Sequence, residues 1–356
     1  MSMKKKYVDI LLIAVAVLLN ACSSDDSGAQ TDSMDHASTG KTVQLVSYIS
    51  PLVEKELSHR AAPSGFSAYT PDKATSMGIY MLLTEDWASP KEEIIRYNTT
   101  TNKWQSNFEV AAGNTYTVYG YMPKTEGMIS TLAKSTADAA TLTITGMKAI
   151  TTDDICIITG VKETDEGLKE GQFSWNTPTT GNQTFYINIL MDHLYAAAQF
   201  RLKIDADYAS LRTIKLKTMT LSTDKGSVNA VISLTHNTTG VSPVSSVAYT
   251  ALGSSSTSDI YKNDEGTALP TTTAIPLSIN AYFAPELSSN LTLVSTYDVY
   301  DSKGNLIRQN CTATNQLPDL GAVRGQRVQV NMTVNPTYLY VLSEPDLDNP
   351  TITIGN

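Results

Sequence analysis

From Thr42 onward, apolar and polar residues alternate in short runs, and Gly, Asn, Asp, Pro or Ser interrupts them roughly every eight to twelve residues. A period of two sends successive side chains to opposite faces of a strand, so the pattern predicts antiparallel sheets packed as sandwiches. The clearest case is "RVQVNMTV", 327–334, where Val328, Val330, Met332 and Val334 fall on one face and Arg327, Gln329, Asn331 and Thr333 on the other. Strands are expected also at "TVQLVSYI" (42–49), "TYTVYGYM" (115–122), "FYINILM" (185–191), "IKLKTMTL" (214–221) and "LTLVSTYDVY" (291–300). Asp224–Gly226 and Asp301–Asn305 carry hairpin chemistry, because their residues tolerate positive φ. Helical spacing is scarce: short helices are expected around Met128–Lys134 and over Pro51–Leu57, and Gly240–Pro270 reads as a long connection or surface loop.

Two stretches at the start break the alternation. Ile10 to Leu19 is wholly aliphatic and follows Lys4, Lys5 and Lys6. As a helix it spans about 15 Å, roughly half of a bilayer core, so it reads as a secretory signal over residues 1–21 rather than an anchor. Leu19 and Ala21 precede Cys22 in the manner of a bacterial Leu-x-Ala-Cys lipobox. That resemblance implies that Cys22 becomes the first mature residue, carrying acyl chains on its thiol and amine, and that lipid holds the protein to a membrane. "SSDD", 23–26, resembles the acidic sorting signal of surface-exposed lipoproteins in Bacteroides-like bacteria. Ser23 to about Lys41 has no aromatic and almost no aliphatic residue, and is expected to be a solvated tether.

Removing the leader leaves about 335 residues, enough for two domains of ordinary size. The net charge of −9, with no long basic cluster beyond the leader, excludes nucleic acid as the expected partner. Besides Cys22, only Cys156 and Cys311 are present, which fits either one disulfide or two small buried side chains.

Candidate chemistry is sparse. Of the four histidines, His36, His59, His193 and His236, none has another His or Cys at metal-ligand spacing. His193 beside Asp192 reads either as half of a catalytic pair or as a hydrogen-bonded strand histidine. Nucleophile elbow, phosphate loop and metalloprotease pair are all absent from the sequence, so neither catalysis nor a cofactor or metal is expected. The acidic runs at Thr164–Gly167 and Asp346–Asn349 lack the spaced ligands of a calcium loop. Trp87, Trp104 and Trp175 fit either a sugar-stacking platform or core filling.

Two segments look detachable from a self-contained sandwich. The strand 42–49 is followed by Arg60 amid Ala, Pro, Ser and Gly, a composition that proteases nick. At the other end, Pro336–Asn356 can reach about 66 Å if extended, more than a domain's width of a few tens of Å.

The lipobox at Cys22, the Arg60-Ala61 junction, "YGYMP" (119–123), "MDHLYAAAQFRL" (191–202), "YFAPE" (282–286) and the ending "YLYVLSEPDLDNPTITI", in this order, resemble the fimbrillin superfamily of pilus-building lipoproteins. The likeness covers nearly the whole chain. It implies an all-β protein of two tandem transthyretin-like antiparallel β-sandwich domains, taken here as 61–182 and 183–356, after a lipidated tether and removable first strand, 22–60. It further implies an outer-membrane lipidated precursor, cut between Arg60 and Ala61 by an arginine-specific protease, and a mature subunit in a surface fimbrium. The vacated groove would accept a strand from another subunit, of the same or a different kind, by β-strand addition. Val43, Leu45 and Ile49, with Ser47, would then be the removed plug, or else the opposite face of Gln44, Val46 and Tyr48. Leu339, Val341, Ile352 and Ile354 would be donor contacts, and the fibre would meet a host or bacterial adhesion target. The alternatives are a tip or anchor fimbrillin, a glycan-binding surface lipoprotein, or a structural lipoprotein that does not polymerise.

Overall fold

A computed structural model describes residues 41–49, 52–54, 67–68, 76–83, 86–98, 100, 103–110, 116–136, 139–162, 185–235, 244–335 and 350–355. Almost all of them are in strands. The chain begins with β1 (Lys41–Ile49), β2 (Val53–Glu54), β3 (Ser67–Ala68), β4 (Ser76–Leu83), β5 (Asp86–Asn98), β6 (Lys103–Val110) and β7 (Tyr116–Met122). It continues through β8 (Ile129–Thr136), β9 (Ala139–Lys148), β10 (Ile150–Thr151), β11 (Cys156–Lys162), β12 (Phe185–His193) and β13 (Ala196–Ile204). A short helix, α1 (Ala206–Leu211), is capped by the Asp205 carboxylate, which accepts from the backbone N–H groups of Asp207 and Tyr208. Then come β14 (Arg212–Thr223), β15 (Ser227–Thr235), β16 (Val244–Leu252) and β17 (Ser256–Ala268). Last are β18 (Leu277–Phe283), β19 (Thr292–Asp301), β20 (Leu306–Gln316), β21 (Gln326–Val334) and β22 (Thr351–Ile354).

The first sheet runs β12-β11-β7-β4-β5-β6-β1, and β1 pairs back onto β12, so the ladder closes into a ring. Closure engages both main-chain sides of β1, which also pairs with β3 at Tyr48 and Ile49, and pairing of this kind is how a strand avoids templating other chains. Every pairing in the ring is antiparallel except β1 with β12. Three further sheets have the orders β10-β18-β13-β21, β17-β14-β19-β20 and β16-β15-β9-β8. Ladders span the chain midpoint: β9 pairs with β15, and β12 pairs with β1 and β11.

One buried apolar cluster extends in sequence from Tyr119 to Val334 and takes side chains from all four sheets. The alternation in β21 is realised, with Val328, Val330, Met332 and Val334 all buried. On β13, Ala196, Ala197 and Ala198 are buried in succession, so both faces of the strand are covered there and small side chains fill the space. Phe200 sits between Ile279 of β18 and Val330 of β21 and is fully buried.

Several expectations are corrected. Residues 129–136 are strand β8, not helix: Met128 and Leu132 mimic a helical spacing, but hydrogen bonding to β9 decides the conformation. Val53 and Glu54 are likewise a strand, paired with β21. The stretch 240–270 contains two strands, β16 and β17; both lie at sheet edges, and β17 is mostly polar, so no apolar period marks it. Asp301–Asn305 is the expected hairpin, with Gly304 at φ 83° and Asp301 accepting from the backbone of Lys303 and Asn305. Asp224–Gly226 instead carries the chain from one sheet to another. It lies beside the matching passage from β16 to β17, where Gly226 donates to the Leu252 carbonyl and Gly253 has φ 78°. A Cβ on Gly226 would stand 2.7 Å from the Ser254 carbonyl oxygen, so a side chain there forces the two passages apart.

Buried phenols give the core a pH dependence. Burial raises Tyr119 and Tyr195 well above the ordinary value near 10, and the Tyr195 hydroxyl donates to the Lys148 carbonyl at 2.6 Å. Above pH 10 the unfolded chain loses these protons while the folded chain keeps them. Stability, complete below pH 10, should therefore fall as pH rises, by about 1.4 kcal/mol per pH unit for each retained proton. Urea unfolding at several pH values from 8 to 11 checks this; a flat profile would mean the phenols ionise as freely folded as unfolded.

Candidate functional site

The candidate site is the slot that β1 fills. On one side β1 runs parallel to β12, with Val43, Leu45 and Ile49 opposite Phe185, Ile187 and Met191. On the other it runs antiparallel to β6, with Leu45 opposite Trp104. Ile49 is buried, as is Trp104, whose ring meets Tyr97 edge-on at 5.3 Å. That burial withdraws Trp104 from a sugar-stacking platform; the side chain of Trp87, and Trp175, lie outside the described residues. β1 is therefore an interior strand with both main-chain edges engaged. Without it, β6 and β12 would each present a row of unpaired N–H and C=O groups.

The same N-terminal segment reaches a second sheet. Val53 donates to the Gly325 carbonyl, β2 runs parallel to the start of β21, and Glu54 pairs with the Arg327 guanidinium. Farther along that edge, β22 lies antiparallel to β21, with Ile354 opposite Val330 and Ile352 opposite Met332. Ile352 and Ile354 are half-buried against the core. The outer edge of β21 is thus shared between the chain's N-terminal segment and its last strand. Cys22, Arg60, Ala61, Leu339 and Val341 lie outside the described residues, as do His36, His59, His236 and both acidic runs.

His193 does not use its sequence neighbour as a ring partner. Asp192 accepts from the His193 backbone N–H at 2.9 Å and from Arg324 at 2.6 Å, and Arg324 also donates to the His193 carbonyl. The imidazole Nδ1 instead meets Asp154 Oδ2 at 2.6 Å, and Cys156 stands directly across the ladder from His193. Burial first, then the charges of Asp154 and Asp192, holds the Cys156 thiol well above its usual pKa. No disulfide joins Cys156 to Cys311. Sequence spacing missed this trio because His193 lies 39 residues from Asp154. Its one local signal is Asp-x-Cys, which in extended chain places both side chains on one face.

No family model and no curated protein matches the chain. Among its structural neighbours are Bacteroides proteins assigned to cell adhesion and a Bacteroides fimbrial protein. A Bacteroides fragilis protein assigned to cell adhesion aligns over 89% of this chain and 97% of its own, at 12% identity and a TM-score of 0.42. A Bacteroides ovatus protein of the same assignment aligns over 89% and 96%, at 13% identity and a TM-score of 0.39. A Bacteroides vulgatus fimbrial protein aligns over 88% and 98%, at 14% identity and a TM-score of 0.37.

Proposed function

We propose that the protein is a non-catalytic pilus subunit that reaches the cell surface as a lipoprotein and polymerises by exchanging its first strand. Lipid on Cys22 would carry the precursor to the outer membrane. Cleavage between Arg60 and Ala61 would then separate that lipid, and with it β1 and β2, from the rest of the chain. The observation that carries this reading is the placement of β1. It lies N-terminal to Arg60 and closes the ring between β6 and β12, so its loss would expose two rows of backbone donors and acceptors at once. Apolar residues at alternate positions of an incoming strand would re-enter the slot, and the tail carrying Ile352 and Ile354 is the supplier this chain offers. Its partners would be other subunits of the same fold, the arginine-specific protease, and an adhesion target met by the assembled fibre.

The test is to treat the purified protein with an arginine-specific protease and run unheated and heated SDS gels with N-terminal sequencing. A heat-sensitive ladder whose bands begin at Ala61 is expected, and Arg60→Ala should abolish it. A single band that keeps β1 would assign the protein to an anchor, a tip or a lipoprotein that does not polymerise.

A further inference from the structure

Outside the strand-exchange slot, one cluster of side chains has more coordinating capacity than its hydrogen bonds use. Asp154, Cys156 and His193 are all at least nine-tenths buried, with relative exposures of 8%, 0% and 3%. One ligand atom from each lies within 4.8 Å of the other two. Their positions follow from the sheet. Cys156 and His193 are direct cross-strand partners on β11 and β12, and Asp154, two residues before Cys156, points to the same side. Asp154 Oδ2 is spent on the imidazole, but Oδ1 is buried with no hydrogen-bond partner among the described residues. An orphaned buried carboxylate oxygen is costly, and beside a thiol and an imidazole it marks room for a cation.

We propose that Asp154, Cys156 and His193 bind a divalent transition-metal ion of the zinc type. The donor set of one sulfur, one imidazole nitrogen and one carboxylate oxygen suits a borderline-soft ion and discriminates against calcium and magnesium, which take oxygen shells. Bonds of about 2.0–2.3 Å in tetrahedral geometry hold ligand atoms about 3.3–3.8 Å apart, so the trio needs only side-chain adjustment. The ion takes the place of the proton between Nδ1 and the carboxylate: imidazole binds through the Nδ1 lone pair with its proton on Nε2, and the thiol proton passes to solvent. Three protein ligands leave a fourth position for water. Thr152, two residues before Asp154, is exposed, which brings the chain to the surface beside the site. The bound ion would tie the start of β11 to the end of β12, the strand against which β1 is paired. The site is independent of strand exchange and stands or falls separately.

The probe is cobalt(II), titrated into metal-stripped full-length protein carrying Cys22→Ser and Cys311→Ser, so that Cys156 is the one remaining thiol of the chain's three. One equivalent should bind with thiolate-to-cobalt charge-transfer absorption, and one equivalent of zinc(II) should bleach it. His193→Gln in that background should weaken zinc binding by more than the roughly 10–100-fold that loss of a supporting contact costs, and Asp154→Asn likewise. If either variant does not fold, the parent titration still decides. Folded protein that gives no charge-transfer band, or a band that His193→Gln leaves at full affinity, overturns the site and leaves a buried hydrogen-bonded pair beside a thiol.

Discussion

Ending the chain at Leu342 is expected to leave a folded protein that no longer forms a ladder after arginine cleavage. In the folded chain the lost segment contributes β22, four residues paired to β21, with Ile352 and Ile354 only half-buried. Full burial of such a side chain is worth about 1.5–3 kcal/mol, so two half-buried ones should cost about 2 kcal/mol in urea unfolding. The closed ring and the other sheets do not depend on β22. Assembly is different in kind: Leu339 and Val341 remain, but Ile352 and Ile354, the apolar pair that the tail brings to a neighbour's slot, are gone, and the heat-sensitive ladder should vanish rather than weaken. A truncated protein that still laddered would place the donor elsewhere in the chain. One that lost both ladder and fold would show that β22 is held far more firmly by its own subunit than a four-residue edge strand should be.

The largest stability loss is expected from Phe200→Ala, at about 3–5 kcal/mol. The ring of Phe200 is fully buried at the centre of the β18-β13-β21 sheet, and β13 is hydrogen-bonded on both sides, which limits how far the backbone can collapse into the void. Domains commonly have only about 5–15 kcal/mol in total, so the variant should sit near its unfolding midpoint under mild denaturant. Ile275→Ala is the control: with its side chain 89% exposed, it should change stability by less than about 0.5 kcal/mol. Chemical denaturation of the two variants beside the parent checks both values. Equal losses would mean the core is not organised around β13.

What the sequence made legible depended on which faces of a strand meet the core. β21 was readable residue by residue because one face is buried and the other is wet, so burial imposed a period of two. β7 showed as a strand but not its depth: Val118 through Met122 are all buried, and a strand covered on both faces has no polar face to mark its orientation. β17 was invisible because an edge strand needs backbone pairing rather than apolar side chains. Asp224–Gly226 has a hairpin's composition yet makes a passage between sheets, since local turn chemistry does not determine which strands pair. At the candidate site, the interior place of β1 rests on partners far along the chain. The approach of Asp154 to His193 is set by the β11–β12 register, which no local pattern encodes.

The parallel seam between β1 and β12 also bears on how the protein comes to be folded. β1 is synthesised first among the ring strands, yet its partners on β12 follow about 140 residues later, whereas the antiparallel neighbours β4 and β5 are adjacent in sequence. Loop closure makes such a distant pairing the slowest to form, so the ring is expected to close on β1 after its other strands have assembled. Contacts made after the folding barrier leave the folding rate unchanged and slow unfolding instead. β1 would then govern how long the closed subunit lasts rather than whether it forms, and the remaining strands could keep their structure once it is gone.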